Sequence, residues 1–84
     1  MKLTTMINIG IEMNRKLNAV GIHSAEELSQ LGSKETFFRL KTLFPEVRLV
    51  HLYTLQGAID NVAYHLLSQE VKNDLKSFSD SLTW

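Results

Sequence analysis

The sequence predicts an all-α fold, a compact array of about five short helices around a buried central helix. Apolar residues recur at intervals of three and four rather than alternating. Glycine, serine and proline stand where helices would begin or end, and one segment is apolar around its whole circumference, as in a buried helix. With 84 residues and no cysteine, we expect one small domain over residues 1–84 without disulfides or thiolate metal sites.

The first helix is predicted from Ile11 to Val20, because Met13, Leu17 and Val20 fall at i, i+4 and i+7. Gly21 then suits the left-handed position after a helix, and Ile22 supplies the hydrophobic contact that often follows such a cap.

The second helix is predicted to start at the capping box Ser24-Ala25-Glu26-Glu27. It turns three apolar residues inward and ends at Gly32. These residues are Ala25, Leu28 and Leu31.

Ser33 is then predicted to be the N-cap of a third helix. Its apolar stripe contains Phe37, Leu40 and Phe44, widened by Phe38 and Leu43. Pro45 cannot continue this helix but suits the first turn of the next one.

The central helix is predicted from Glu46 to about Asn61, because its apolar residues surround the helix: Val47, Leu49, Val50, Leu52, Tyr53, Leu55, Ala58 and Ile59. Gly57 marks a close approach of another segment, which would offset its cost of about 1 kcal/mol relative to alanine. A closing amphipathic helix is capped by Ser68, with its apolar stripe at Val71, Leu75, Phe78 and Leu82.

Composition and motifs argue against catalysis, cofactors and small-molecule substrates. The chain carries nine basic and nine acidic residues, a balance that opposes strong nucleic-acid binding. Its three histidines have neither metal-ligand spacing nor a neighbouring nucleophile, and there is no glycine-rich phosphate loop. No apolar run is long enough to cross a membrane. The chain start has no signal-like apolar stretch, so we expect a cytoplasmic protein without membrane contact.

The stretch Asn8-Ile9-Gly10-Ile11 and the following Arg15-Lys16 pair form the candidate contact with DNA phosphates. A tight glycine turn that opens a helix leaves backbone N–H groups unpaired, and such groups can hold a phosphate. The contact would position the nucleic acid without reading its bases. The alternative interpretation is a glycine turn that only allows two helices to cross closely.

Apolar residues near the two ends of the chain, including Met1 and Ile7, suggest a second kind of contact, with a protein partner or another copy of the chain. The candidate interface residues are Leu3, Met6, Leu82 and Trp84. If they do not fold back on the core, they form an exposed patch of the kind that marks interfaces. For Trp84 we expect docking, either against its own domain or across a homodimer contact.

With these residues laid out, the chain resembles the C-terminal domain of TfoX, a family of bacterial regulators of natural competence for DNA uptake. The resemblance covers about residues 6–79. It rests on Asn8-Ile9-Gly10, Gly21-Ile22, residues 25–32, and above all the run Leu52-Tyr53-Thr54-Leu55-Gln56-Gly57-Ala58-Ile59. Ile11 stands where the family often has proline, and Tyr64 where it often has tryptophan.

The resemblance implies a small helical domain related to helix-hairpin-helix folds. It also implies a regulatory, non-enzymatic role, because no catalytic residues are assigned to the family. We therefore expect an accessory domain for competence or transcription. It would act either through weak, sequence-independent DNA backbone contact or as a protein-interaction module.

Overall fold

The computed structural model describes residues 1–82, which are helical without any strand, as predicted. Short 3-10 turns at Leu3–Thr5 and Tyr64–Leu66 accompany the α-helices. In chain order the helices of this range are α1 (Ile11–Ala19), α2 (Ala25–Leu31), α3 (Ser33–Leu43), α4 (Leu49–Asp60) and α5 (Gln69–Ser81). Their short connections fold them into an array measuring 30 × 27 × 20 Å.

Three of the predicted helix ends are confirmed by their hydrogen bonds. Gly21 is left-handed (φ 84°), and the Ile22 N–H donates to the Leu17 carbonyl at 2.9 Å, which closes α1 in the manner of a Schellman motif. The Ser24 hydroxyl oxygen accepts the Glu27 N–H at 3.1 Å, and that of Ser68 caps α5 in the same way at 3.2 Å.

Helix α4 is the central element, as its sequence predicts. It packs against α2, α3, α5 and the turn at Tyr64–Leu66, and Leu52, Leu55 and Ala58 are buried in the core. The close approach predicted at Gly57 is also confirmed, since a β-carbon there would lie only 2.5 Å from the Val62 carbonyl oxygen.

The start of α4 was predicted too early, at Glu46 instead of Leu49. Pro45 belongs to a turn outside the helix, in which the Val47 N–H donates to the Phe44 carbonyl at 3.0 Å. Val47 is fully buried, so this turn anchors the α3–α4 connection on the core before the helix begins.

Two predictions about α3 were wrong. Its N-cap is Gly32, while Ser33 is the first helical residue and its buried hydroxyl donates across to Gln56 Oε1 at 2.5 Å. Phe38 and Leu43 are exposed instead of widening the apolar stripe. The stripe that α3 buries consists of Thr36, Phe37 and Leu40.

The candidate interface residues near the chain ends fold back on the core as far as the structure describes them, whereas Met1 and Ile7 are exposed. Leu3 is 1% exposed and belongs to the core cluster, and Met6 and Leu82 pack against that cluster. The prediction for Trp84 lies outside the described residues. Among residues 1–82, no helix is both long enough and apolar enough to span a membrane.

Candidate nucleic-acid interface

Asn8 forms the turn before α1, but its side chain points into the fold. Its backbone is left-handed (φ 73°), a conformation that asparagine adopts more easily than most residues. The side-chain Nδ2 donates to the Val62 carbonyl at 3.0 Å and lies 3.5 Å from the Thr54 carbonyl. Ile9, the next residue, is buried in the core. Asn8 and Ile9 therefore hold the turn in place. Ile9 is covered by the core, whereas Asn8 is partly exposed and also lines the groove between α1 and α4.

Gly10 and Ile11 form the open part of the turn. Gly10 is the N-cap of α1 and supplies no side-chain cap, and no atom outside its immediate chain neighbours lies within 4 Å of where its β-carbon would be. The first N–H groups of a helix have no partner within the helix. The Ile11 side chain beside them is 85% exposed.

A groove of about 360 Å³ lies between the start of α1 and α4. From α1 it is lined by the open turn together with Glu12, Met13 and Lys16, and from α4 by His51 and Thr54. The α4 wall was not predicted from the sequence, because no local pattern indicates that residues some 40 positions away along the chain face this turn.

The two basic residues of the candidate interface are already paired with carboxylates. Arg15 forms an ion pair with Glu12, and the hydrogen bond from this guanidinium holds the pKa of the Glu12 carboxyl below its ordinary value. The Lys16 side chain is only 12% exposed, and its Nζ lies 3.8 Å from a Glu46 carboxylate oxygen. Most of the local positive charge is therefore balanced.

Phe44 holds both cationic groups near the end of α3. The Arg15 guanidinium carbon lies 5.9 Å from the centre of the Phe44 ring, and the Lys16 Nζ lies 5.6 Å from it. Contacts of this kind favour a cation over an aromatic face. Of these two cationic residues, Lys16 lines the groove and Arg15 does not.

His51 is half-buried at the start of α4. Its Nδ1 accepts the Arg48 backbone N–H at 2.9 Å. Burial is the main reason that the His51 pKa lies below its ordinary value, and the positive charges of Lys16 and Arg48 act in the same direction. The hydrogen bond with the Arg48 backbone and the carboxylate of Glu46 act in the opposite direction. The described residues contain no cluster of His, Asp and Glu that could hold a metal ion.

Comparison with known proteins agrees with this fold. The model of the TfoX C-terminal domain family matches residues 1–79. An uncharacterized protein from Listeria monocytogenes, solved in a triclinic crystal form, is 34% identical with a TM-score of 0.93, over 96% of this chain and 92% of that chain.

A protein of unknown function from Listeria monocytogenes, solved in a tetragonal form, is 35% identical with a TM-score of 0.91, over 95% of this chain and 99% of that chain. No curated protein matches the chain. The family match spans nearly the whole sequence and agrees with the resemblance carried by the Asn8 turn and the α4 run. The chain therefore belongs to the TfoX C-terminal domain family.

Proposed function

We propose that this chain is a non-enzymatic regulatory domain that contacts the DNA backbone weakly and without sequence preference. The contact lies at the groove between the start of α1 and α4. The observation that carries the proposal is the uncapped start of α1, where Gly10 and Ile11 line the groove and the N-cap Gly10 offers no side-chain cap to the first N–H groups. Membership of a family of competence regulators supports a role linked to DNA.

The turn is built to present these N–H groups in a fixed position. The Asn8 amide ties it to the Val62 carbonyl, and buried Ile9 anchors it to the core. A phosphate entering the groove would meet the positive end of the α1 dipole. Lys16, on the groove wall, would add a positive charge after its side chain left Glu46 and paired with the phosphate.

The same geometry explains why binding should be weak. Glu12 lies in the first turn of α1, and the ion pairs with Glu12 and Glu46 neutralise Arg15 and Lys16. The formal net charge of the chain is zero. Only one or two phosphates can be neutralised, so the logarithm of the binding constant should fall with the logarithm of salt concentration at a slope of about −1 to −2.

Titration of fluorescent duplex and single-stranded DNA between roughly 50 and 200 mM salt tests this proposal. Glu12→Gln should bind several-fold more tightly than the natural chain, because it removes the carboxylate at the groove and releases Arg15. Glu70→Gln is the matched control, since Glu70 also lies in the first turn of a helix but does not line the groove. Absence of binding at the lowest salt, or equal affinities for Glu12→Gln and Glu70→Gln, would refute the proposal.

A second candidate function is protein interaction, either self-association or docking to a regulatory partner. It is favoured by Ile11, an apolar side chain 85% exposed at the mouth of the groove. Burying such a side chain in an interface contributes about 1.5–3 kcal/mol. The original candidates Leu3, Met6 and Leu82 are drawn into or against the core, which leaves Ile11 as the better-placed contact.

Affinity capture with the natural chain and with Ile11→Ser distinguishes this second candidate. A partner that docks at the groove should be retained by the natural chain and lost with Ile11→Ser. For self-association, the mass measured by sedimentation should fall on dilution for the natural chain and remain monomeric for Ile11→Ser. If neither the captured proteins nor the mass depends on Ile11, this second function is excluded at the groove.

A further inference from the structure

His51 connects the first turn of α4 to the groove. It lies three residues after the N-cap Arg48, and its Nδ1 accepts the Arg48 N–H at 2.9 Å. An imidazole nitrogen can accept this hydrogen bond only when it carries no proton, so the bond requires a neutral ring with its proton on Nε2. The same side chain lines the groove opposite the start of α1.

Charged groups reach this part of the molecule from several elements. Lys16 and Glu12 come from α1 and line the groove with His51. Glu46 lies in the turn before α4, and Arg48 is the N-cap of α4 itself. The charges of Lys16 and Arg48 oppose a positive charge on His51, whereas the Arg48 backbone contact and Glu46 favour one. A phosphate in the groove would shift this balance toward the charged ring.

We propose that His51 is a proton-operated latch between the start of α4 and the groove. The neutral ring holds the Arg48 N–H and leaves the groove without an additional charge. A protonated imidazole has two donors and no acceptor, so protonation releases the Arg48 N–H and adds one positive charge to the groove wall. Phosphate binding and protonation of His51 therefore strengthen each other.

Release of the Arg48 N–H is a property of the free chain, whereas the effect on binding rests on the function proposed above. NMR titration of the free chain tests the first part. The His51 ring signals and the Arg48 amide signal should move with one midpoint, below the ordinary histidine pKa of 6.5.

His51→Gln should abolish the movement of the Arg48 amide, because a glutamine carbonyl at this position can accept the same bond without titrating. The control is His65→Gln, since His65 is an exposed residue that lies outside the groove, and this variant should titrate like the natural chain. An Arg48 amide that does not follow the His51 ring, or that titrates equally in His51→Gln, would overturn the latch.

The second part is tested with a short fluorescent DNA duplex at low, constant salt. Lowering the pH through the His51 midpoint should tighten binding roughly fivefold and steepen the salt dependence by about one unit of slope, as expected for one added cation. His51→Gln should show neither change, and His65→Gln should show both.

The two experiments separate the inference from the proposed function. If the natural chain binds no DNA at any pH, the proposed function and its coupling to His51 both fail, and the NMR titration still decides whether the latch exists in the free chain. If DNA binds with the same pH dependence in the natural chain and in His51→Gln, the groove is a binding site but His51 does not regulate it.

Discussion

The side-chain amide of Asn8 occupies the space beside Gly57 that a β-carbon would require. A β-carbon built on Gly57 would lie 2.6 Å from Asn8 Nδ2 and 2.5 Å from the Val62 carbonyl oxygen to which that amide donates. The missing side chain on α4 therefore makes room for both partners of the hydrogen bond. The turn before α1 keeps its position because α4 has a glycine at this point.

Gly57→Ala should destabilise the domain by about 2–3 kcal/mol, as overpacking does in a closely packed core. In a helix without this close contact, alanine would be more stable than glycine by about 1 kcal/mol. A loss of stability in Gly57→Ala would therefore show that the contact is present. Gly10→Ala is the control, because Gly10 has extended backbone and open space around its β-carbon position. Urea unfolding compares the two, and equal midpoints would show that α4 can move away from the Asn8 turn.

Thr36→Val should stabilise the domain by about 1 kcal/mol. Thr36 is 0% exposed, and its hydroxyl oxygen has no hydrogen-bond partner, so valine removes an unsatisfied polar atom while keeping the shape of the side chain. The buried hydroxyl of Ser33 on the same helix donates to Gln56, and Ser33→Ala should therefore have the opposite effect. Thermal melting measures both changes. A loss of stability in Thr36→Val would contradict this account.

Leu55→Asp should unfold the domain, because an unpaired buried charge costs several kcal/mol against a total stability of roughly 5–10 kcal/mol. Leu55 is fully buried on α4, whereas Val50 on the same helix is exposed. Val50→Asp should therefore change stability by less than about 1 kcal/mol. Circular dichroism at 222 nm during heating distinguishes them. An unchanged melting temperature in Leu55→Asp would show that α4 is not the core element.

Acid should destabilise the natural chain more than His51→Gln. The pKa of His51 in the folded state lies below its ordinary value of 6.5, mainly because the ring is partly buried, so the folded chain binds fewer protons here than the unfolded chain. The contribution of the neutral ring is therefore fully present above about pH 6.5 and is lost as the pH falls through the folded-state pKa.

Urea midpoints of the two chains at a series of pH values provide the measurement. The difference between the natural chain and His51→Gln should shift in favour of the variant as the pH falls. A difference that stays constant with pH would mean that His51 titrates alike in the folded and unfolded states.

The sequence predicts the helices best where the determining interactions are local. The capping serines Ser24 and Ser68 bond to amides three residues away, and the left-handed Gly21 follows directly from the end of α1. Hydrophobic periodicity and capping residues therefore indicate where a helix begins and ends from a few neighbouring positions. The start of α4 was missed because Pro45 is compatible with either a first helical turn or a preceding turn, and the burial of Val47 decides between them.

The candidate site could be predicted only in part, because its geometry depends on contacts between distant segments. The Asn8-Gly10 turn was identified from the sequence, but the inward direction of the Asn8 amide depends on Val62. The sequence also suggested that Arg15 and Lys16 offer free positive charge to a ligand, whereas both are paired with carboxylates. Glu12 is close enough in sequence to have indicated one pairing, whereas Glu46 reaches Lys16 only through the fold.

The bond from Asn8 to Val62 joins residues 54 positions apart, and this separation bears on the order in which the chain folds. Closing a long loop costs entropy before the contact returns any energy, while α2, α3 and α4 can associate through nearer neighbours. The turn before α1 should therefore dock after the folding transition state. A substitution that weakens the Asn8–Val62 bond would mainly accelerate unfolding, with little change in the rate of folding. The turn on the α1 side of the groove should in this sense be the last part of the domain to form and the first to be released.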